Sequence, residues 1–206
     1  MEPARREELE QVIAARRADG DLAAAATAAI KGYGPEILGF LVVATGHPQL
    51  SADIFSDYCE DLWRGLPGFR GESTFRTWSY RLAYHALARA RRDAARKRGR
   101  VAALSDVPEV AAVVDHVRTR TLPHLRTEVK AAVAQLRDRL DEDERTLLVL
   151  RIDRRLPWDE IAMILDPEVP TPEARRRLSA ALRKRFERIK QRLHELARTL
   201  AVDDGS

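Results

Sequence analysis

A chain of 206 residues with 45% hydrophobic and 33% charged side chains can fill the core of one or two domains, and the balance is not that of a disordered polymer. The formal charge of +4 is small, so any polyanion contact must come from local patches rather than from net charge. Cys59 is the single cysteine, which excludes an internal disulfide framework and fits a reducing cytosol. The charged start MEPARREELEQV is not a signal peptide, and no apolar run reaches membrane-spanning length. A soluble, cytoplasmic protein without membrane contact of its own is expected.

Strand-like alternation is absent and Ala, Leu, Arg and Glu dominate, so the expected fold class is all-α. Residues 1–20 read as an N-terminal extension. Asp21 caps a helix DLAAAATAAI that Gly32, Gly34 and Pro35 are expected to break, with a second apolar helix over 36–45. Ser51 is a good cap for the next helix, which runs through Trp63 to the Gly65–Gly68 turn. A long helix follows from Thr74 to about Arg98. From Gly99 to about Pro123 the pattern loosens into a linker, with at most one weak helix.

Beyond the linker a helix is expected over 125–140, and Asp141–Glu144 has the acid-rich composition of a helix first turn answering the dipole. Pro157 opens the short helix PWDEIAMIL. Thr171 followed by Pro172 is a helix start, and the last helix runs to about Ala201 before a frayed tail. The domains expected are thus 1–20, 21–98, 99–124 (linker), 125–201 and 202–206 (tail).

Charge is concentrated in two runs. Arg89–Arg100 holds seven basic residues against one Asp, and Arg175–Arg192 holds nine against one Glu. Two basic stripes without a large exposed apolar face suit nucleic acid better than a membrane surface. Between Leu66 and Arg81, Phe69, Phe75, Trp78 and Tyr80 alternate with Arg70, Arg76 and Arg81 around a glycine turn. Cations that track phosphates beside aromatic faces suit an unpaired strand, while the same aromatics also read as core edged by solvated arginines. A short apolar helix followed by an arginine-rich one has the outline of a helix-turn-helix.

Leu50–Arg92 resembles region 2 of the bacterial RNA polymerase sigma factors, in the small extracytoplasmic-function (ECF) group of the sigma-70 family. The resemblance lies in Asp53, Phe55, Asp57 and Trp63 and in LPGFRGESTFRTWSYR over 66–81. The second half is similar to region 4 through Leu140, Arg145, Leu148, Leu150, Arg151, Leu156 and the EIAMIL run over 160–165, and through RKRFERIKQRLHELA over 183–197. The resemblance implies two helical domains, a region 2 bundle and a region 4 helix-turn-helix, on a flexible linker.

The same resemblance implies roles. Asp53, Ser56, Asp57 and Trp63 would bind core polymerase. Phe69, Arg70, Gly71, Ser73 and Thr74 would hold an unpaired base of the −10 element, with Arg76, Arg81, His85, Arg89, Arg91 and Arg92 contacting −10 DNA from the helix that runs along the melted strand. Trp78 would pack beneath that helix. Arg183, Lys184, Arg185 and Arg188 would read the −35 element. The stretch between Leu165 and Arg183 is longer than the family's turn, so either the turn is enlarged or the recognition helix starts near Pro172 and brings in Arg175, Arg176 and Arg177. Ser56-Asp57 stands where Gln-Glu is usual, and His85 where Asn is common.

Partners implied are core RNA polymerase, promoter DNA and an anti-sigma factor, whose place residues 1–20 could also take. No phosphate loop, nucleophile motif or ligand cluster is present, and His47, His85, His116, His124 and His194 are scattered, so no enzyme, cofactor or metal is expected. Two other readings remain at this point: a helix-turn-helix regulator that binds duplex DNA without polymerase, and a helical protein whose basic faces serve an acidic partner.

Overall fold

The computed structural model describes residues 1–93, 107–127, 139–166 and 171–203, and among these the chain is all-α. Its helices are α1 (Pro3–Ala18), α2 (Leu22–Thr45), α3 (Pro48–Gly65), α4 (Phe75–Asp93), α5 (Pro108–Thr127), α6 (Glu142–Leu148), α7 (Trp158–Leu165) and α8 (Pro172–Asp203). The chain divides into two compact units: Met1–Val42 with His47–Leu125, and Arg126–Ser206 with Val43–Gly46.

In the first unit Asp21 does cap α2, its carboxylate accepting from the Ala24 N–H at 3.0 Å. The expected break at 32–35 does not occur, and α2 runs 24 residues through Pro35. Lys31 and Pro35 are both exposed, so the bond that proline cannot make is lost on the solvent side. The glycines serve packing instead. A Cβ on Gly32 would lie 2.2 Å from a methyl of Leu9, and one on Gly34 would lie 3.2 Å from Val117 and 3.3 Å from the Phe55 ring. They let α1 and α5 seat directly on α2.

Two further boundaries move. Helix α3 begins a turn before Ser51, with Pro48 in its first turn, and the buried Ser51 hydroxyl donates back to the His47 carbonyl at 2.9 Å. The expected extension, residues 1–20, is mostly helix α1, anchored by Ile13, which is 1% exposed. Much of the expected linker is also helix: α5 buries Val110, Val113, Val114 and Val117, an i, i+3, i+4, i+7 stripe. The basic run beyond Asp93 and the helix expected over 125–140 fall largely outside the described residues, as does the loop at 167–170.

The core of this unit joins Tyr33, Ile37, Phe40 and Leu41 of α2 to Phe55, Tyr58 and Leu62 of α3 and to Phe75, Trp78 and Tyr80 of α4. Phe40 meets Tyr80 edge-on at 5.5 Å between ring centroids.

In the second unit α6 starts at the acid-rich turn expected there, and Asp141 and Glu144 add a reciprocal capping box (2.7 and 3.1 Å). A π-helical turn over Val149–Asp153 follows, and Arg155 takes φ +54° to redirect the chain into α7. Arg151 bridges that bend, donating to the Leu156 carbonyl at 2.8 Å with its guanidinium 4.9 Å over Trp158. Trp158 in turn meets Phe186 of α8 edge-on at 5.4 Å. Helix α8 starts at Pro172, where the Thr171 hydroxyl accepts from the Ala174 N–H at 3.1 Å.

Candidate nucleic-acid interface

Leu66–Thr74 connects α3 to α4 and is built around an aromatic knot. Phe69 lies 5.2 Å from Phe75 and 5.0 Å from Trp78, and Phe75 and Trp78 are themselves 5.0 Å apart. Trp78 is 5% exposed and packs against Phe69 and Phe75, so it is a core residue of this knot. Above this knot Arg70, Gly71, Glu72 and Thr74 are exposed and Ser73 is half-buried. Gly71 takes φ +74°, a conformation that a side chain would strain, and it makes the turn tight. Thr74 starts α4: its hydroxyl accepts from the Thr77 N–H at 3.1 Å and pairs with the Thr77 hydroxyl at 2.8 Å.

Helix α4 sorts its basic residues onto different faces. Arg81, His85 and Arg92 follow i, i+4, i+11 spacing, with Arg89 beside them, and form one outward stripe. Partial burial, then the charges of Arg81, Arg89 and Arg92, hold His85 below its ordinary pKa, with Asp61 opposing. A neutral imidazole at neutral pH can both donate and accept. Arg89 is tied to Asp61 of α3 by an ion pair. Arg91 is half-buried and Arg92 is exposed.

Arg76 is the clear correction in this group. It sits in the core at 5% exposure, ion-paired to Glu36 of α2, which also accepts from the Tyr80 hydroxyl at 2.7 Å. One turn before Tyr80, it faces inward, so its charge serves the fold and not a bound strand.

On α3, Asp53, Ser56, Asp57 and Trp63 share one side; Asp53 is exposed and the others are half-buried. Burial pushes the Asp57 carboxyl above its ordinary value; Arg89 lowers it, while Glu60, Asp61 and Asp53 raise it further. Arg118 of α5 donates to the Ser56 hydroxyl at 3.4 Å. Cys59 is fully buried and burial pushes its thiol up, which makes it a packing residue.

In the second unit α8 buries Ser179, Leu182, Phe186 and Ile189 against the rest. The Ser179 hydroxyl donates to Asp159 of α7 at 2.8 Å and pins the crossing of the two helices. Arg177, Lys184 and Arg188 fall at i, i+7, i+11 on the opposite, exposed face, with the small exposed Ala180 and Ala181 between them. Arg176 and Arg183 flank that face, and Arg175 is half-buried. Arg185 turns back to Asp141 and Asp143 (3.7 and 3.9 Å), and Arg192 to Glu144 (3.0 Å), so both brace α6. Of the two registers, the helix itself follows the early one, starting at Pro172.

Among the described residues no group of three or more His, Cys, Asp or Glu converges as a metal site would, and no helix is long and apolar enough to cross a membrane.

The family model for sigma-70 region 2 matches residues 29–97. The RNA polymerase sigma-H factor of Pseudomonas aeruginosa is 32% identical over 155 residues, which cover 69% of this chain and 76% of that protein. The chain belongs to the ECF group of the sigma-70 family. RNA polymerase sigma factor YlaC of Bacillus subtilis is 29% identical, covering 65% of this chain and 75% of that one. The ECF RNA polymerase sigma-E factor of Haemophilus influenzae is also 29% identical, over 60% and 67%. The region 2 match spans α2 from residue 29, then α3, the aromatic loop and α4, the elements that carry the exposed loop and the basic stripe.

Residues missed in the sequence are those that hold the site in shape. Glu36 and Asp61 neutralise Arg76 and Arg89, and Glu10 and Arg17 of α1 contact the two ends of the loop. Their signal was faint: Glu10 and Arg17 lie two helical turns apart on one face of a helix read as an extension.

Proposed function

We propose that this sigma factor joins core RNA polymerase through the Asp53–Trp63 side of α3 and directs it to promoters with both units. The exposed loop 70–74 receives an unpaired base of the −10 element. The melted strand then runs along Arg81, His85, Arg89 and Arg92. Helix α8 enters the major groove at the −35 element with Arg176, Arg177, Lys184 and Arg188; the start at Pro172 favours its N-terminal residues for base contacts. The protein performs no covalent chemistry, and binding of flipped bases and of core drives strand opening. It acts in the cytoplasm, and an anti-sigma factor that covers α3 would keep it inactive.

The observation that carries this reading is the continuity of the exposed loop with the outward stripe of α4, above an aromatic base that fixes both. Gel shift of promoter DNA with and without core tests it. Binding should need core. Tight, sequence-specific binding by the protein alone would identify a conventional helix-turn-helix regulator. No binding at low salt in either case would point to a protein partner for the basic faces.

A further inference from the structure

Helix α1 holds both ends of the loop, while Arg70, Gly71, Glu72 and Thr74 between them stay exposed. At the loop's start, Arg17 donates to the Phe69 carbonyl at 2.5 Å and to the Leu66 carbonyl at 3.3 Å, with its guanidinium 5.0 Å over the Phe69 ring. At its end, the Glu10 carboxylate accepts from the first two N–H groups of α4, Phe75 at 2.8 Å and Arg76 at 2.9 Å. Tyr33 of α2 donates its hydroxyl to the same carboxylate at 2.5 Å. With Thr74 accepting from Thr77, the first three N–H groups of α4 are all satisfied, two of them by a side chain from another helix. Ile13 is buried between the two contacts, and Leu9 lies against Gly32, so α1 is itself held on α2.

We infer that α1 is a splint that presets the loop for its base, with Glu10 and Arg17 as positioning residues for −10 recognition. Glu10 and Arg17 are seven positions apart, about 10 Å along the helix, and they fix the two ends of the loop against one rigid element. What remains open between the clamps is the stretch 70–74, exposed except for the half-buried Ser73. A receptor whose ends are fixed before binding loses less freedom when a base enters. It also holds its donors at one spacing, so a wrong base is penalised. This inference rests on the −10 reading proposed above.

The test uses holoenzyme, assembled from core and the full chain, and single-stranded −10 oligonucleotides carrying each of the four bases at the flipped position. The readout is the ratio of affinities for the preferred base and the others. A general folding defect lowers the active fraction for all four oligonucleotides alike, and loss of one positive charge weakens all four alike, so neither moves the ratio. Arg17→Ala and Glu10→Ala should each lower it roughly tenfold, the loss expected when charge-assisted hydrogen bonds no longer hold a geometry. Arg17→Lys, which keeps a donor and a cation over Phe69, and Glu10→Gln, which keeps one acceptor, should restore part of it. An unchanged ratio in both alanine variants overturns the splint alone. A parent holoenzyme with no base preference overturns the −10 reading, and the splint with it.

Discussion

Arg76→Ala separates a core strut from a DNA contact. The Arg76 side chain is 6% exposed and that of Glu36 13%. Glu36 Oε1 accepts from Arg76 Nε at 2.8 Å and from the neighbouring Nη2. Alanine deletes both charge-assisted bonds and leaves a mostly buried carboxylate without that counter-charge. Breaking a buried pair from one side costs about 3–5 kcal/mol, and the residual exposure of Glu36 favours the lower end. With a urea m-value of about 2 kcal/mol/M, a loss of about 3 kcal/mol lowers the unfolding midpoint of the first unit by about 1.5 M. Tryptophan fluorescence in a Trp158→Phe background follows Trp63 and Trp78 alone, both in that unit. Adding Glu36→Gln to Arg76→Ala should recover part of the loss, because the carboxylate charge that Arg76 balanced is then gone. If Arg76→Ala melts within about 0.5 kcal/mol of the parent and instead loses −10 strand affinity, the core assignment is wrong.

Other expectations follow from the same geometry. Arg177→Ala and Lys184→Ala should each cost about 1–3 kcal/mol of −35 discrimination if they read bases, whereas Arg185→Ala should leave promoter choice intact and lower the stability of the second unit. Equal loss of discrimination from Arg185→Ala in DNA-binding assays would refute that division. Asp57, whose folded pKa lies above its ordinary 3.8, favours folding when protonated, and that contribution is lost as pH rises through its folded value. Asp57→Asn should therefore raise the melting temperature at pH 7 while weakening core binding, and its advantage should vanish below pH 3.8. His85 has a folded pKa below 6.5, so its neutral form favours folding and that contribution is lost as pH falls through the interval between 6.5 and the folded value. Phosphates beside it reverse the balance. Strand binding by holoenzyme should tighten from pH 7 to pH 6, and His85→Ala should flatten that slope; an equal slope in the variant would count against the contact.

Local signals were legible in the sequence and distant ones were not. Asp21, Thr171 and the Asp141–Glu144 pair cap the helices that their chemistry predicts, because a cap involves residues three positions apart. Gly32 and Gly34 look like breakers in sequence, yet their role is set by Leu9, Phe55 and Val117, which come from other helices. The valine stripe of α5 was present at helical spacing, but small apolar residues beside Gly99, Ser105 and Pro108 read as a linker. In the 66–81 run the aromatics and arginines share one composition, and only the turn of α4 against α2 sends Arg76 inward and Arg81 outward. The start at Pro172 was written in Thr171-Pro172, while similarity to the family's register pulled the other way.

Run-off transcription with purified core polymerase and a matching promoter template decides whether this protein directs initiation. The expected transcript depends on this protein and on both promoter elements, and is lost when the −10 or the −35 sequence is scrambled. Folded protein that binds core yet yields no promoter-dependent transcript would rule out promoter-directed initiation by this chain.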